Sequence, residues 1–393
     1  MKTLGIIVEY NPFHTGHSGH LSKSKKFTGC DAIVAVMSGN FVQRGEPAIV
    51  DKWKRTQTAL KAGVDLVIEL PLYYAAASAG YFAKGAVSLL EKSGIVDCLC
   101  FGSECGDIKA LQSCAKAIFA EDDVFKKRLH EYLKLGLSYP AARAKAADTN
   151  VVLPDTPNNI LGIEYLKALE VLNSQIKPYT VPRSPGTAKE IRTQLKGGQM
   201  SNLLNLSDLI NFSAPADAEI LSGSVNKTGL EDLADLDNLS SIFHYILRTH
   251  SCEELQTFID VSEGLENRLL KYAENNKLIS DIIAATKTKR YTYLRLQRAV
   301  LHMILGMTKK NLAAYESAGG PQYIRVLGFN RERPELLGLL EKHAALPVIV
   351  NLKKADLTPL AAKMLDEEVR STKIYSLAFS SHTYFNEYAI PIC

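Results

Sequence analysis

The sequence predicts an α/β protein, a doubly wound parallel sheet followed by a mostly helical C-terminal half. Three observations predict it. Short, nearly continuous apolar runs recur at residues 4–8, 31–37, 64–69 and 95–101, as in strands buried on both faces. Stretches of helical period with capping residues separate them. The length of 393 residues, 46% hydrophobic and 22% charged, is enough to bury the cores of two domains.

The elements follow in order. Strand 1 covers residues 4–8, and a helix is expected over 17–27. Strand 2 covers 31–37. The segment 38–50, SGNFVQRGEPAIV, is too long and polar for a simple connector, and such loops at the C-terminal end of a parallel strand carry substrate groups. Asp51 is placed to cap a helix ending at Gly63. Strand 3 (64–69), a helix (75–92) and strand 4 (95–101) complete four β-α repeats. Three helical stretches reach residue 173, interrupted by the turn-rich residues 154–159. Strand 5 is expected at 176–181 and a short helix at 187–192, and Gly197-Gly198 closes this half, giving domains of 1–200 and 201–393. Residues 346–350 and 374–379 are further strand candidates.

Composition narrows the function classes. No stretch is apolar enough to span a membrane, and the first residues read as a strand rather than a signal sequence. Seven cysteines with no C-x-x-C pair read as reduced thiols in a cytoplasm, and no zinc-ligand spacing occurs. Cys98 and Cys100 alternate within strand 4 and read as packing. The net charge of +4 hides an asymmetry. Residues 201–286 hold 5 Lys/Arg against 14 Asp/Glu, a net of −9, whereas residues 287–354 hold 13 against 4, a net of +9. Such a basic block suggests a surface for a polyanion, though solvated faces also produce these swings.

The chemistry concentrates at residues 4–20, LGIIVEYNPFHTGHSGH. Asn11 and Pro12 end the strand, and His14-Thr15-Gly16-His17 falls where a helix begins. Free backbone N–H groups and the helix dipole suit an anion there, and Gly16 lets the backbone approach closely. The pattern resembles the H-x-G-H signature of adenylyl- and nucleotidyltransferases, in which the histidines hydrogen-bond nucleotide phosphates as pyrophosphate leaves. In the basic block, residues 287–305 read as a helix on which Tyr291, Arg295, Arg298 and His302 share one face, while Leu296, Val300, Met303 and Ile304 face the core.

VEYNPFHTGH, VMSGNFVQRGEPAIVDKWKRT, GVDLVIELP, FGSECGDI, PNNILG and KTKRYTYLRLQR, in this order, are similar to the bacterial tRNA(Met) cytidine acetate ligases. The resemblance implies a Rossmann-like nucleotidyltransferase domain followed by a tRNA-binding domain. It also implies ligation of acetate, at the expense of ATP, to the wobble cytidine of elongator tRNA(Met), with Mg²⁺ expected beside the phosphates. By the same resemblance, ATP is held by Ile7, Val8, Glu9, Tyr10, Asn11, Pro12, Phe13, His14, Thr15, Gly16, His17 and His20, with Gly102, Asn158 and Arg183. His14 and His17 are the catalytic pair. Two departures stand out. Ser18-Gly19 precedes His20 where the family often has an aromatic residue, and the segment after Arg183 is shorter than the resemblance implies, with its S-A-T-S-I-R-like motif appearing as Thr187-Ala188-Lys189-Glu190-Ile191-Arg192.

Lys287, Lys289, Arg290, Tyr291, Arg295 and Arg298 are expected to grip the RNA, with Lys309, Lys310, Arg331 and Arg333 next in line. Several residues carry two readings. His20 touches nucleotide or packs on its helix; Arg44 meets substrate or solvent; Lys52 and Arg55 reach phosphate or RNA, or form a solvated face. Glu104 reads better as a helix cap than as a catalyst. Two other functions fit parts of the pattern: a small-molecule adenylyltransferase using the same motif, and an RNA-binding protein whose nucleotide site is structural.

Overall fold

In the computed structural model of the chain, residues 1–119, 123–137, 142, 145, 146, 156–183, 192, 233–380, 385 and 387 are described. The first half runs β1 (Thr3–Val8), α1 (Thr15–Thr28), β2 (Ala32–Ser38), β3 (Phe41–Val42), β4 (Glu46–Pro47), α2 (Lys52–Lys61), β5 (Leu66–Leu70), α3 (Leu72–Ala75), α4 (Ala79–Ser93), β6 (Cys98–Ser103), α5 (Ile108–Phe119), α6 (Asp123–Lys134), α7 (Pro157–Val171) and β7 (Lys177–Pro182). After it come α8 (Ser240–Thr249), α9 (Leu265–Ala273), α10 (Ile279–Thr286), α11 (Tyr293–Leu305), α12 (Lys309–Ser317), β8 (Ile324–Phe329), α13 (Glu335–His343), β9 (Val348–Ile349) and α14 (Pro359–Tyr375).

Seven strands form one sheet in the order β7-β6-β1-β2-β5-β8-β9. β1 pairs in parallel with both β2 and β6, so the chain winds outward through β2 and β5 and then returns to the other side of β1. This reversal opens a crevice at the C-terminal ends of β1 and β6, where ligands bind in open α/β sheets. Alternation sorts the strand residues. Ile33, Ala35 and Met37 face Leu21 of α1 and Ala59 of α2, while Val34 and Val36 face the opposite layer with Leu89 and Leu90 of α4.

The C-terminal half is not a separate helical body. β8 pairs antiparallel with β5, and β9 extends the sheet beyond it, so residues past 200 supply two of the seven strands. The core is shared too: Phe243, Leu296 and Val300 belong to the same apolar cluster as Val34 and Leu90. Residues 374–379 do not form the expected strand. Ile374 and Tyr375 end α14, and Ser376–Ala378 is a 3-10 turn. Thr358 caps that helix, and its buried Ala361, Met364, Leu365, Glu368, Ser371, Thr372 and Tyr375 recur every three or four residues, a helical period that absorbs the short apolar run. The helix expected over 75–92 is broken by Ala76-Ala77-Ser78.

Lys52 and Arg55 are neither solvated nor aimed at phosphate; both are buried. Lys52 Nζ lies 2.6 Å from Glu69 Oε1 and 2.5 Å from Glu387 Oε1, and Arg325 NH1 lies 2.9 Å from Glu69 Oε2 and 2.6 Å from Glu387 Oε1. Trp53 lies 5.7 Å from the Lys52 ammonium and 5.6 Å from the Arg325 guanidinium, measured to the ring centroid. Arg55 donates to the carbonyls of Val50, Glu9, Ser38 and Gly39. Glu368 is the cluster's fifth ionisable group. Burial first, and the charge of Glu69 second, push its carboxyl up to about 8.

That shift has a stability consequence. A carboxyl whose folded pKa is raised stabilises the fold fully below about 4.5, its ordinary value, and that contribution is lost as pH rises through about 8. Glu368→Gln removes the titration while keeping an acceptor for the Leu72 N–H, which Glu368 Oε2 takes at 2.7 Å. Urea unfolding at pH 5 and pH 8 should therefore show the variant gaining on the wild type as pH rises, by at most ~1.4 kcal/mol per pH unit. A constant difference between the two would refute a neutral Glu368.

Candidate active site

β1 ends at Val8, and Tyr10 then adopts φ 50, a left-handed conformation that costs energy for a side chain of this size and turns the backbone out of the sheet. His14 is the N-cap of α1: its ring Nδ1 accepts from the Gly16 N–H at 3.0 Å. With Nδ1 accepting, the neutral ring carries its proton on Nε2, and that buried nitrogen has no partner. His17 stacks on His14 at 3.8 Å between centroids, and its Nδ1 is likewise buried and unpartnered. Tyr10 and Phe13 wall the pair from behind, with centroids 5.0 and 5.6 Å from His17.

The rest of the predicted nucleotide set converges on this turn. A Cβ on Gly102, near the end of β6, would lie 3.6 Å from both His20 and Arg183, so the three positions are neighbours. Arg183 follows β7, and its N–H donates to the Ser103 carbonyl at 2.9 Å. Its guanidinium donates to Asn158 Oδ1, at the first turn of α7. Glu9 is covered by the β3–β4 hairpin and accepts from the Gln43 N–H at 2.8 Å. Burial raises its carboxyl above the ordinary range. Thr187, Ala188, Lys189, Glu190 and Ile191 lie outside the described residues, as does the Gly197-Gly198 pair. Arg192 is described, and it arrives at the site: NH1 donates to the Asn11 carbonyl at 2.8 Å, and Nε lies 3.6 Å from Glu46 Oε1.

Three imidazoles so close together cannot all be charged. Burial, reinforced by Arg183 and Arg192, lowers His14 to about 4. Burial and Arg183 lower His20 to about 4, and His17 falls well below its ordinary value through burial and the neighbouring His14. The site therefore meets an anion with neutral N–H donors, a helix N-terminus without acidic residues, and two arginines. Among the described residues no three His, Cys, Asp or Glu side chains converge to hold a metal.

Glu104 is a cap, though not of the next helix. Asp107 accepts from the Lys109 and Ala110 N–H groups at the start of α5, whereas Glu104 accepts from the Asn158 and Asn159 N–H groups of α7. Residue types alone could not show which helix follows in space. Arg44 sits half-buried in the hairpin that covers Glu9. The hairpin touches α11: a Cβ on Gly45, at φ 81, would come within 2.5 Å of the Arg298 backbone nitrogen.

The basic face reads differently in space. Tyr291 precedes α11, is buried, and donates its hydroxyl to the Glu263 carbonyl at 2.7 Å. Arg298 pairs with Asp260 at 2.9 Å, and Arg295 donates to Ser262 Oγ at 2.7 Å. His302 is fully buried between the Ile259 and Ala76 carbonyls. The helix lacks acids of its own because the loop 260–263 supplies them. Lys287, Lys289 and Arg290 are exposed, as are Tyr293 and Leu294, with Arg290 paired to Glu263 at 2.8 Å. Of the further basic residues, Lys309 donates to the Gln256 and Val261 carbonyls and Arg333 lies 3.3 Å from Asp65, while Lys310 and Arg331 are exposed. No helix among the described residues is long and apolar enough to cross a membrane.

A doubly wound sheet whose first strand delivers an H-x-G-H turn to the switch point defines a HIGH nucleotidyl transferase, and that family's model matches residues 1–388. Among curated relatives, the tRNA(Met) cytidine acetate ligase of Thermoanaerobacter sp. (strain X514) is 42% identical over 97% of this chain and 96% of its own length. The protein of the same name from Acetivibrio thermocellus is 40% identical over 98% and 97%. The crystal structure of Thermotoga maritima TmcAL bound with alpha-thio ATP superposes with a TM-score of 0.89 at 34% identity, covering 100% of this chain and 99% of that one. The chain belongs to the tRNA(Met) cytidine acetate ligase family.

The lowered imidazoles can be checked directly. An NMR titration of the free protein should place the midpoints of His14 and His20 near 4, and ATP should raise them, since phosphate charge favours imidazolium. For folding the sign is the usual one for depressed groups. Their contribution is present above about 6.5 and is lost as pH falls toward 4. Midpoints near 6.5 would mean that the cluster is solvated.

Proposed function

We propose that this chain activates acetate with ATP and transfers the acetyl group to the exocyclic amine of the wobble cytidine of elongator tRNA(Met), acting in the cytoplasm. In the first step an acetate oxygen bonds to the α-phosphorus, the bond to pyrophosphate breaks, and acetyl-adenylate remains. In the second the cytidine N4 bonds to the acetyl carbon, the bond to AMP breaks, and N4 gives up a proton, leaving N4-acetylcytidine. The observation that carries the reading is the pair of stacked, neutral imidazoles with unpartnered buried nitrogens at the N-terminus of α1. Buried donors without partners are costly unless a ligand satisfies them, and phosphate oxygens are the acceptors a helix N-terminus favours.

Each residue then has a part. His14 and His17 hydrogen-bond the phosphates as charge moves onto the leaving pyrophosphate, in a setting too dry to weaken them. Arg183 and Arg192 neutralise the same charge from the other side of the turn. The histidines, arginines and backbone amides place the reactants in line, and Mg²⁺ enters with the ATP phosphates. For the RNA, the reading falls on the exposed run Lys287, Lys289 and Arg290 with Tyr293 able to stack on an unpaired base, rather than on Tyr291 and Arg298.

Two measurements test this. His17→Ala should abolish acetate-dependent ATP–pyrophosphate exchange without altering the circular dichroism, a loss of ~3 kcal/mol in barrier stabilisation for one such donor. Exchange that needs a mononucleotide in place of acetate would favour a small-molecule adenylyltransferase. Lys289→Glu with Arg290→Glu should weaken tRNA binding and reduce its salt slope by about one per lost phosphate contact. Unchanged affinity in that double variant would move the RNA to another face.

A further inference from the structure

We propose that Glu104 is a positioning residue for ATP, acting through the Asn158 amide on the Arg183 guanidinium. The inference rests on the reading of this turn as an ATP site. Arg183 is exposed at the rim of the crevice, and a long side chain in that position gains nothing from burial and loses much rotamer freedom when held still. What holds it is a chain of directed bonds. Its guanidinium donates to Asn158 Oδ1, and Asn158 Nδ2 donates to Glu104 Oε1 at 2.6 Å. Glu104 is itself fixed at both oxygens. Oε1 also accepts from the Asn158 N–H at 3.2 Å, Oε2 accepts from the Asn159 N–H at 2.8 Å, and the Glu104 N–H donates to Asn159 Oδ1 at 3.0 Å.

The carboxylate does two separable things. It caps α7, whose own N-cap Thr156 makes no side-chain capping bond. It also decides which way the Asn158 amide faces, because an amide that gives its NH₂ to a carboxylate must turn its oxygen the other way. That oxygen meets Arg183. Without the carboxylate the amide is tied only to the guanidinium, and the two side chains move together with nothing to hold them at the rim. A glutamine would retain the second role, since its oxygen can take both Asn158 bonds while its NH₂ opposes only the Asn159 N–H; an alanine removes both. Glu104 is held below the ordinary carboxylate range accordingly: burial raises it, and the bonds from Asn158 and Asn159 outweigh burial.

A cap and a positioning residue predict different things. We expect Arg183→Ala to raise the ATP KM in acetate-dependent pyrophosphate exchange at least tenfold, and Glu104→Ala to raise it about fivefold to tenfold. In the Arg183→Ala background, Glu104→Ala should add nothing to KM, since the group it positions is gone. Asn158→Ala keeps the capping carboxylate and both backbone N–H groups, so it should raise KM with an unchanged melting temperature, and it too should add nothing beside Arg183→Ala. It carries the test even if Glu104→Ala folds poorly. A KM effect of Glu104→Ala or of Asn158→Ala that persists in full beside Arg183→Ala, or an Asn158→Ala enzyme with wild-type KM, overturns the relay. If Arg183→Ala itself leaves ATP binding unchanged, the ATP reading of the rim fails and takes the relay with it.

Discussion

The structure depends on a buried array of charge: Lys52 and Arg325 interleaved with Glu69 and Glu387. Its members come from α2, β5, β8 and the C-terminal segment, so it closes only when both halves of the chain are in place. Each carboxylate meets two cations and each cation two carboxylates, the arrangement that offsets desolvation best. Removing one partner would leave an uncompensated buried charge, so the array makes the fold cooperative across the whole length rather than domain by domain. One turn along α2, Arg55 donates to the carbonyls of Glu9, Ser38 and Gly39 at the ends of β1 and β2. The H-x-G-H turn follows those ends. The geometry of the histidines is thus referred, through α2, to the array in the core.

That rigidity matters because the site keeps buried ring nitrogens without partners. The Nε2 of His14 and the Nδ1 of His17 forfeit hydrogen bonds in the free protein. A flexible turn would rotate to satisfy them. Here the Gly16 N–H fixes one ring, stacking fixes the other, and Tyr10 and Phe13 close the apolar side. The rings are neutral because burial and each other's company forbid charge, and neutral rings at a helix start can donate without repelling the arginines beside them.

The sequence made the parallel strands and the catalytic turn legible because both are local. A buried strand announces itself as an apolar run, and H-x-G-H places two imidazoles one helical turn apart. Asp51 capping α2 was legible for the same reason. The hidden parts depend on distant partners. β8 needs β5 as its neighbour, and Lys52 on an otherwise polar helix looks solvated until Glu387 arrives from 335 residues away. By sequence the stripe of Tyr291, Arg295, Arg298 and His302 reads as a free basic face because α11 has no acids. Asp260 and the Glu263 carbonyl answer it from a loop that periodicity cannot place beside it.

α11 in turn packs against the hairpin that covers Glu9. Gly45 packs on its backbone at Arg298, close enough that any side chain at 45 would collide, and Gln297 donates to Glu46 Oε2 at 3.3 Å. Glu46 faces Arg192, and Arg192 donates to the Asn11 carbonyl in the catalytic turn. The β3–β4 hairpin therefore lies between the basic helix and Glu9, with Gly45 against Arg298, Glu46 accepting from Gln297 and the Gln43 N–H donating to Glu9. A displacement of α11 at Arg298 would press on Gly45, and the hairpin would carry it to Glu9 through Gln43.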